Sequence, residues 1–375
     1  MDPRQRFLEA VLFGRPDKVP LDPGCGREST LARWHREGLP AHVTDVVEYA
    51  YRSAGGRQEW PCGGEDFPVN ERMIPQFEEK VIERKAASQV VQDWKGNVCE
   101  IGLEFTVDYL RNAMDFVTRR WIRCPVESHA DWADMQRRYL AADPARYPAD
   151  AAARGARLQQ RQHVVGLHFS GPFWQLREWL GFERLCVLFH DDPDWVKDMV
   201  RFWEDHVARL LDHALRHVVP DMVHLSEDMA YKEHAMISPA MTREFLLPTY
   251  LRWGEIIRRQ GCPIYAMDSD GRVDELIPLW IEAGINVCDP LEVAAGNDVV
   301  AFRRRFGRNM AYRGGVDKRL IARGGRAIEA EIARLTPVIG AGGYIPGCDH
   351  GVPADVAWPE FVRCVGLLAR ATGWL

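Results

Sequence analysis

The sequence lacks the patterns that identify several common classes of protein. It has no C-x-x-C pair, although it contains nine cysteines, at positions 25, 62, 99, 124, 186, 262, 288, 348 and 364. This spacing excludes the common zinc-ribbon sites and disfavours a disulfide framework. No run approaches the roughly 18 apolar residues that a membrane-spanning helix needs.

The charge and the N-terminus exclude further classes of partner. The chain carries 48 Lys and Arg against 54 Asp and Glu, a net charge of −6 that gives no overall attraction for nucleic acid or an anionic membrane. Residues 1–13 interleave charged and apolar side chains at helical spacing, which is not the pattern of a signal peptide. The sequence therefore predicts a cytoplasmic protein that acts on a small molecule, and it leaves the oligomeric state open.

Short β-type runs alternate with longer amphipathic stretches through the second half of the chain. These runs cover residues 163–171, 221–228, 262–271, 285–292, 309–317 and 342–351, and residues 18–24 could supply another. Alternation of this kind predicts an α/β fold with a parallel sheet. A doubly wound sheet also fits, but no G-x-G-x-x-G follows any run, and the number of units favours a (β/α)8 TIM barrel.

Residues 55–125 interrupt this alternation. They begin with a turn-rich stretch and continue with two polar-alternating β runs on either side of Lys95-Gly96-Asn97. Such a pattern is typical of a β-hairpin. The sequence thus predicts a single domain over residues 1–375, with residues 55–125 forming an early β-hairpin insertion near the barrel mouth.

Acidic residues follow most of the predicted strands. They are Glu227, Asp228, Asp268, Asp270, Asp289, Glu292, Asp317 and Asp349. In a (β/α)8 barrel these strand ends surround one cavity, where like charges repel unless a cation, shared protons or arginines compensate. A bound metal ion or a cationic reaction centre is the simplest compensation.

Asp268-Ser269-Asp270-Gly271 is the sharpest local motif for a metal site. We interpret Asp268 and Asp270 as candidate ligands, although Asp270 could instead cap the next helix. Cys348 is a third candidate ligand. His350 is a candidate metal ligand or a catalytic or substrate-binding imidazole, and the alternative is a structural histidine in a turn.

Two acids after an earlier strand are candidates for proton transfer or substrate orientation. Glu227 and Asp228 occupy these positions, with helix capping or ion pairing as the alternative. His168, Tyr231 and Asp317 also lie at or just after strand ends, and we expect them to contact substrate.

Seven segments together resemble the uroporphyrinogen decarboxylase superfamily, in its uroporphyrinogen decarboxylase-like branch. The segments occur in order over nearly the whole chain: FLEAVLFGRPDKVPLDPG, ESTLARWHREGLP, HLSEDMAYK, ISPAMTREFLLPTY, DSDG, GGVDKR and GGYIPGCDHGVPADV. The resemblance implies a (β/α)8 barrel, in agreement with the strand pattern.

The resemblance also implies one of two chemistries. The decarboxylases remove carboxyl groups from a tetrapyrrole without a cofactor, using an N-terminal arginine-rich motif and a late histidine. Asp349-His350-Gly351 matches the late histidine, whereas the stretch LDPGCGRESTLARW after the first predicted strand offers Arg27 and Arg33 but not the motif. Arg27 is therefore a candidate for holding a substrate carboxylate.

The related methyltransferases pass methyl groups through a corrinoid protein, and many carry zinc on an H-x-C-G motif and a later cysteine. Asp268-Ser269-Asp270-Gly271 falls where H-x-C-G would lie, and Cys348 falls near the later cysteine. Oxygen ligands in place of thiolate and imidazole imply a harder metal site, holding Zn²⁺ or another divalent metal.

Three functions are consistent with these patterns. The first is a methyltransferase-like enzyme that demethylates a small compound, such as a methoxylated aromatic, and transfers the methyl group to a corrinoid on a partner protein. The second is a decarboxylase of the uroporphyrinogen decarboxylase type, which needs no cofactor. The third is a non-catalytic module that binds a corrinoid or tetrapyrrole.

Overall fold

A computed structural model describes residues 1–58, 63–113 and 115–375. Cys62 lies outside these ranges, and the eight cysteines within them are free thiols. No helix in the described part of the chain has both the length and the apolar character needed to cross a bilayer.

Seven parallel strands form the central sheet, in the spatial order β1-β6-β7-β8-β9-β10-β11. Their bounds are β1 Glu65–Asp66, β6 Val165–Ser170, β7 Met222–Ser226, β8 Ile264–Asp268, β9 Val287–Asp289, β10 Ala311–Val316 and β11 Tyr344–Cys348. The last six lie inside the six runs predicted from the sequence, so the predicted α/β fold with a parallel sheet is confirmed.

Fifteen α-helices accompany the strands in the described ranges. They are α1 Pro3–Val11, α2 Glu28–Arg36, α3 Val46–Ser53, α4 His129–Gln136, α5 Ala151–Leu158, α6 Pro172–Leu180, α7 Phe182–Asp191, α8 Pro193–Leu215, α9 Pro239–Met241, α10 Leu247–Arg259, α11 Ile277–Glu282, α12 Val299–Phe306, α13 Lys318–Arg323, α14 Gly325–Gly340 and α15 Trp358–Ala371. At least one helix follows each of β6 to β11, as a parallel sheet with crossover connections requires.

The sheet is curled, and a contact across it shows this directly. Asp270 follows β8 and His350 follows β11, yet His350 Nε2 and Asp270 Oδ2 are 3.0 Å apart. In a flat sheet β9 and β10 would separate these side chains by two further strands at about 4.8 Å each. The carboxyl ends of β8 and β11 therefore face one another across the inside of the curl.

An eighth strand, and with it a closed barrel, stays a prediction. Residues 18–24, which the sequence offered as a further strand, lie beside β11, where Cys348 N donates to Pro23 O at 3.2 Å. Just beyond them Gly26 and Val352 form an isolated parallel bridge. A cavity of about 610 Å³ lies between this segment and β1.

Two apolar clusters support the curled sheet. Helix α1 places Phe7, Ala10 and Val11 against inward residues at the amino ends of the strands, among them Met222 and Ile264. Alternate residues of the same strands face the surrounding helices, since successive side chains of a strand point to opposite faces. This second, larger cluster contains Val223, Leu225, Tyr265 and Met267 together with large helix side chains such as Trp203 and Trp253.

The insertion is larger than the predicted hairpin. Four antiparallel strands pair in sequence order: β2 Lys80–Arg84, β3 Ser88–Gln92, β4 Val98–Gly102 and β5 Arg120–Arg123. Lys95-Gly96-Asn97 lies in the turn between β3 and β4, and Gly96 has φ +89°. Strand β1 also falls within residues 55–125, so part of that range belongs to the parallel sheet. With only two residues, β1 has no periodicity that sequence reasoning could detect.

Candidate functional site

Three carboxylates converge at the carboxyl ends of β7 and β8. Asp228, Asp268 and Asp270 each offer one oxygen, and these three oxygens lie within 4.8 Å of one another. All three side chains are half-buried. We call these residues the acidic cluster. They include the two predicted ligands of the D-S-D-G motif and one of the two predicted proton-transfer residues.

The local backbone brings these acids together. Asp228 has φ +40°, in the left-handed region that disfavours most residues with a side chain. Its Oδ1 accepts a hydrogen bond from Asp270 N at 3.2 Å. Strain of this kind at a strand end is typical of functional sites, where the surrounding structure holds a residue in an unfavourable conformation.

Burial and neighbouring carboxylates raise the pKa of two residues in the cluster. Burial raises the pKa of Asp268 to about 7, and the Asp289 carboxylate adds to this rise. Burial, followed by the negative charge of Asp270, raises the pKa of Asp228. Ser226 Oγ donates to Asp268 Oδ2 at 3.1 Å. Burial and neighbouring carboxylates thus disfavour the ionised forms of these two acids, and a bound cation would favour them.

His350 and Arg27 extend the cluster toward the mouth of the curled sheet. Arg27 Nη2 lies 2.8 Å from His350 Nδ1, and Gly351 N donates to the same ring nitrogen at 2.7 Å. Because both neighbours are donors, Nδ1 must accept, and Nε2 carries the proton donated to Asp270 Oδ2. The bond to Asp270 raises the pKa of His350 against the opposing effects of burial and Arg27.

The insertion reaches this mouth through one aromatic side chain. Phe116 is 80% exposed, and the Arg27 guanidinium lies 3.9 Å from its ring centroid. Ser29, on α2, donates to the Asp115 carboxylate at 2.8 Å through its backbone N–H. These contacts hold the segment around Phe116 above Arg27 and His350.

Cys348 lies apart from the acidic cluster. Its side chain belongs to the main apolar core, and burial raises its pKa to about 12. A metal-binding thiolate needs the opposite shift. Cys348 is on the face of β11 that packs against the helices, so its thiol lies outside the acidic cluster, and its role as a metal ligand stays a prediction.

Glu227 also points away from the site. It is fully buried and accepts hydrogen bonds from Trp174 N at 2.8 Å and from the Tyr250 hydroxyl. Burial raises its pKa to about 7. Its carboxyl thus satisfies the N-terminus of α6, as the helix-capping alternative expects, and its catalytic role stays a prediction.

The three predicted substrate contacts other than Arg27 have different positions. Asp317 caps α13 and pairs with Arg319 at 2.8 Å, so it is engaged within its own loop. Tyr231 is 53% exposed, and its ring makes an edge contact with Phe182. His168 lies on the inner face of β6 beside the cavity of about 610 Å³, with Nδ1 2.9 Å from Asp66 Oδ1.

A second polar group lies inside the sheet, and the sequence analysis identified only its Asp289. His224 Nε2 is 2.7 Å from Asp289 Oδ1, and Arg313 Nη1 donates to Asp289 Oδ2 at 3.1 Å. Arg313 Nη2 in turn donates to Asp22 at 2.8 Å. His224 and Arg313 alternate with apolar residues on short strands, and this period-2 placement was the available signal.

Comparisons with known proteins agree with the resemblance. Two curated relatives are similar, "Uroporphyrinogen decarboxylase" of Rhodococcus opacus (strain B4) and of Rhodococcus jostii (strain RHA1), each 28% identical over 254 residues. The match covers 62% of this chain and 65% of each relative, which is slightly less than two thirds of their length. No family model matches the chain.

A solved structure shares the fold over the whole chain. It is described as "methyltransferase from Methanosarcina mazei" and superposes with a TM-score of 0.59 at 12% identity, covering 99% of both chains. This match shows the fold, and the two curated relatives confirm the resemblance to the uroporphyrinogen decarboxylase superfamily that the sequence motifs indicate.

Proposed function

We propose that the protein is a methyltransferase-like enzyme that demethylates a small methylated compound, such as a methoxylated aromatic, and transfers the methyl group to a corrinoid on a partner protein. The observation that carries the proposal is the convergence of Asp228, Asp268 and Asp270 at the carboxyl ends of β7 and β8. Reacting groups of (β/α)8 enzymes occupy this position.

The donor set of the acidic cluster fits a hard divalent cation. Carboxylate oxygens suit Mg²⁺ or Mn²⁺ and make a weaker site for Zn²⁺ than thiolates do. When bound, such a cation supplies a Lewis acid that stabilises negative charge on a substrate oxygen. Asp228, Asp268 and Asp270 would hold it, and no thiolate enters the set.

The other residues of the site orient this set. His350 Nε2–H holds one Asp270 oxygen, and Ser226 holds one Asp268 oxygen, so each carboxylate presents its remaining lone pairs in a defined direction. Partners of this kind are positioning residues. In the proposed reaction the carbon–oxygen bond of a methyl ether breaks, the methyl group goes to the corrinoid, and the electron pair stays on the substrate oxygen.

A direct assay tests this function. Under anaerobic conditions, the protein with Mn²⁺ or Zn²⁺, 2-methoxyphenol and reduced cobalamin should form catechol and methylated cobalamin, measured by chromatography and absorbance. We expect His350→Gln to slow catechol formation by about 10- to 100-fold, the range typical of partners that orient ligands. Asp2→Asn, which preserves a good cap on α1 at the amino ends of the strands, should react at the wild-type rate.

Absence of catechol with every metal would contradict methyl transfer from this substrate class. A His350→Gln variant as fast as the wild type would contradict the positioning role of His350 while leaving the reaction itself intact.

A decarboxylase is the second candidate, and one observation favours it. Arg27 lies beside His350 at the mouth of the curled sheet, where a guanidinium can bind a substrate carboxylate. Release of CO₂ from uroporphyrinogen in the presence of a chelator, lost in Arg27→Met, would support this reaction over methyl transfer.

A further inference from the structure

A second cavity lies between the insertion and α6. Its volume is about 210 Å³, and it shares no lining residue with the acidic cluster. Four aromatic side chains and several charged ones form its wall, chiefly Trp94, Trp174, Trp179, Tyr139, Glu71 and Lys95. Neither the sequence motifs nor the similar proteins assign it a ligand.

Hydrogen bonds and an ion pair hold the outer wall of this cavity in place. In the turn between β3 and β4, Asp93 Oδ1 accepts hydrogen bonds from Lys95 N and Asn97 N, each at 2.9 Å. Lys95 Nζ then pairs with Glu178 Oε2, on α6, at 2.5 Å. Because this ion pair joins the insertion to α6, the cavity is formed before any ligand binds, which reduces the entropy lost on binding.

The floor of the cavity presents a carboxyl group. Glu71 accepts hydrogen bonds from Ser170 N at 2.9 Å and from Ser170 Oγ at 2.7 Å. Burial raises the pKa of Glu71. Each carboxyl oxygen keeps a second lone pair, so a ligand hydroxyl can donate to Glu71 without displacing Ser170.

The same serine connects the floor to the acidic cluster. Ser170 is paired with Ser226 in the register of β6 and β7, and Ser226 Oγ donates to Asp268. Adjacent strands are about 4.8 Å apart. A ligand resting on Ser170 is therefore one strand away from the serine that holds Asp268.

Size and wall chemistry define the class of ligand. An apolar cavity of about 150 Å³ holds a benzene molecule, so this cavity has room for one ring with a small substituent. The Arg72 guanidinium lies 4.9 Å from the Trp94 ring centroid and also lines the cavity. Tryptophan and guanidinium surfaces stack on planar rings in preference to puckered ones.

We propose that this cavity binds the ring of a phenol, with the ring hydroxyl donating to the Glu71 carboxyl. The inference rests on the proposed function and deepens it, because 2-methoxyphenol is itself a phenol, whose free ring hydroxyl is not the oxygen that loses the methyl group. Phenol binding itself requires neither the metal nor the corrinoid.

Titration of the full-length protein with phenol tests the assignment. Binding is measured by calorimetry and by tryptophan fluorescence. Cyclohexanol, which has the same number of heavy atoms but no planar ring, serves as the matched ligand. We expect one phenol per chain and an affinity about tenfold above that of cyclohexanol, as loss of aromatic stacking predicts.

Variants localise the binding. Trp174→Ala should weaken phenol binding by about tenfold or more. Trp121→Ala is the matched control, since Trp121 is 53% exposed on β5 and does not line the cavity, and it should bind phenol like the wild type. If Trp174→Ala fails to fold, Glu71→Leu provides the second test, because it removes the acceptor and should reduce the preference for phenol over toluene.

Two results would overturn the assignment: equal affinity for phenol and cyclohexanol, or wild-type phenol binding in both cavity variants. Asp270→Asn separates this inference from the proposed function, because it should bind phenol normally while losing catechol formation. Methyl transfer without phenol binding in this cavity would refute the cavity assignment alone, and phenol binding without methyl transfer would refute the reaction alone.

Discussion

Among individual residues, His350 has hydrogen-bond neighbours that determine which ring nitrogen carries the proton. Its Nδ1 faces two donors, Arg27 and Gly351, so the remaining proton must lie on Nε2 and point at Asp270. A histidine in this state orients a carboxylate instead of ligating a metal through the same nitrogen. The late histidine of the sequence motif thus acts on Asp270, and through it on the acidic cluster.

His206 gives a pH prediction away from the site. It is buried among Tyr139 and Trp203, its Nε2 lies 3.1 Å from Glu71 O, and burial lowers its pKa to about 3. The folded state therefore keeps His206 neutral while the unfolded state protonates near pH 6.5. The stability from this group is complete above pH 6.5 and is lost as the pH falls toward 3.

Urea unfolding at pH 7 and pH 5 measures this effect. Between these pH values, His206 should account for a loss of about 2 kcal/mol in the free energy of unfolding of the wild type. The His206→Gln variant has no titrating group at this position. Between pH 7 and pH 5 it should therefore lose about 2 kcal/mol less unfolding free energy than the wild type. An equal loss in the two proteins would contradict the pKa assigned to His206.

Among the elements, the turn between β3 and β4 requires glycine at position 96, because of its backbone conformation and its close contact with Phe77. Gly96 has φ +89°, and a Cβ added there would lie 2.8 Å from the Phe77 ring. The turn also positions Trp94 and Lys95 on the wall of the proposed phenol cavity. Its conformation therefore links the stability of the insertion to ligand binding.

Gly96→Ala tests this link against a matched glycine. Gly296 has a similar φ of +93°, but a Cβ there would meet no atom within 4 Å. Gly296→Ala should cost about 1 kcal/mol of unfolding free energy from the left-handed backbone alone, and Gly96→Ala about 1 to 3 kcal/mol more from the added steric clash. Equal losses in urea unfolding would show that the turn relaxes without disturbing Phe77.

For the whole molecule, the sequence predicted strands β6 to β11 of the parallel sheet but not its edge strand β1. The runs that became β6 to β11 were recognisable because apolar residues end at polar or glycine-rich ones. Strand β1 has two exposed residues and no such pattern. The pairing of β5 with β4 was equally hidden, because all four residues of β5 are exposed and the strand follows a long irregular connection.

The candidate site was predicted in part, for a physical reason that applies to every strand end. Position along the chain places Asp228, Asp268 and Asp270 at the mouth, as observed. Successive side chains of a strand point to opposite faces of the sheet. A local change of backbone conformation at the strand end, such as the positive φ of Asp228, breaks this alternation. Glu227 and Cys348 were therefore indistinguishable from their neighbours in the sequence, although both face the core.

The central claim is that Asp228, Asp268 and Asp270 form one divalent cation site, and calorimetric titration of metal-free protein with Mn²⁺ and Zn²⁺ tests it most directly. We predict one site per chain in the wild type and in an Asp2→Asn control, with affinity lowered by more than about tenfold in Asp268→Asn and Asp270→Asn. A wild type that binds neither ion, or an Asp270→Asn variant that binds as tightly as the wild type, would contradict the claim.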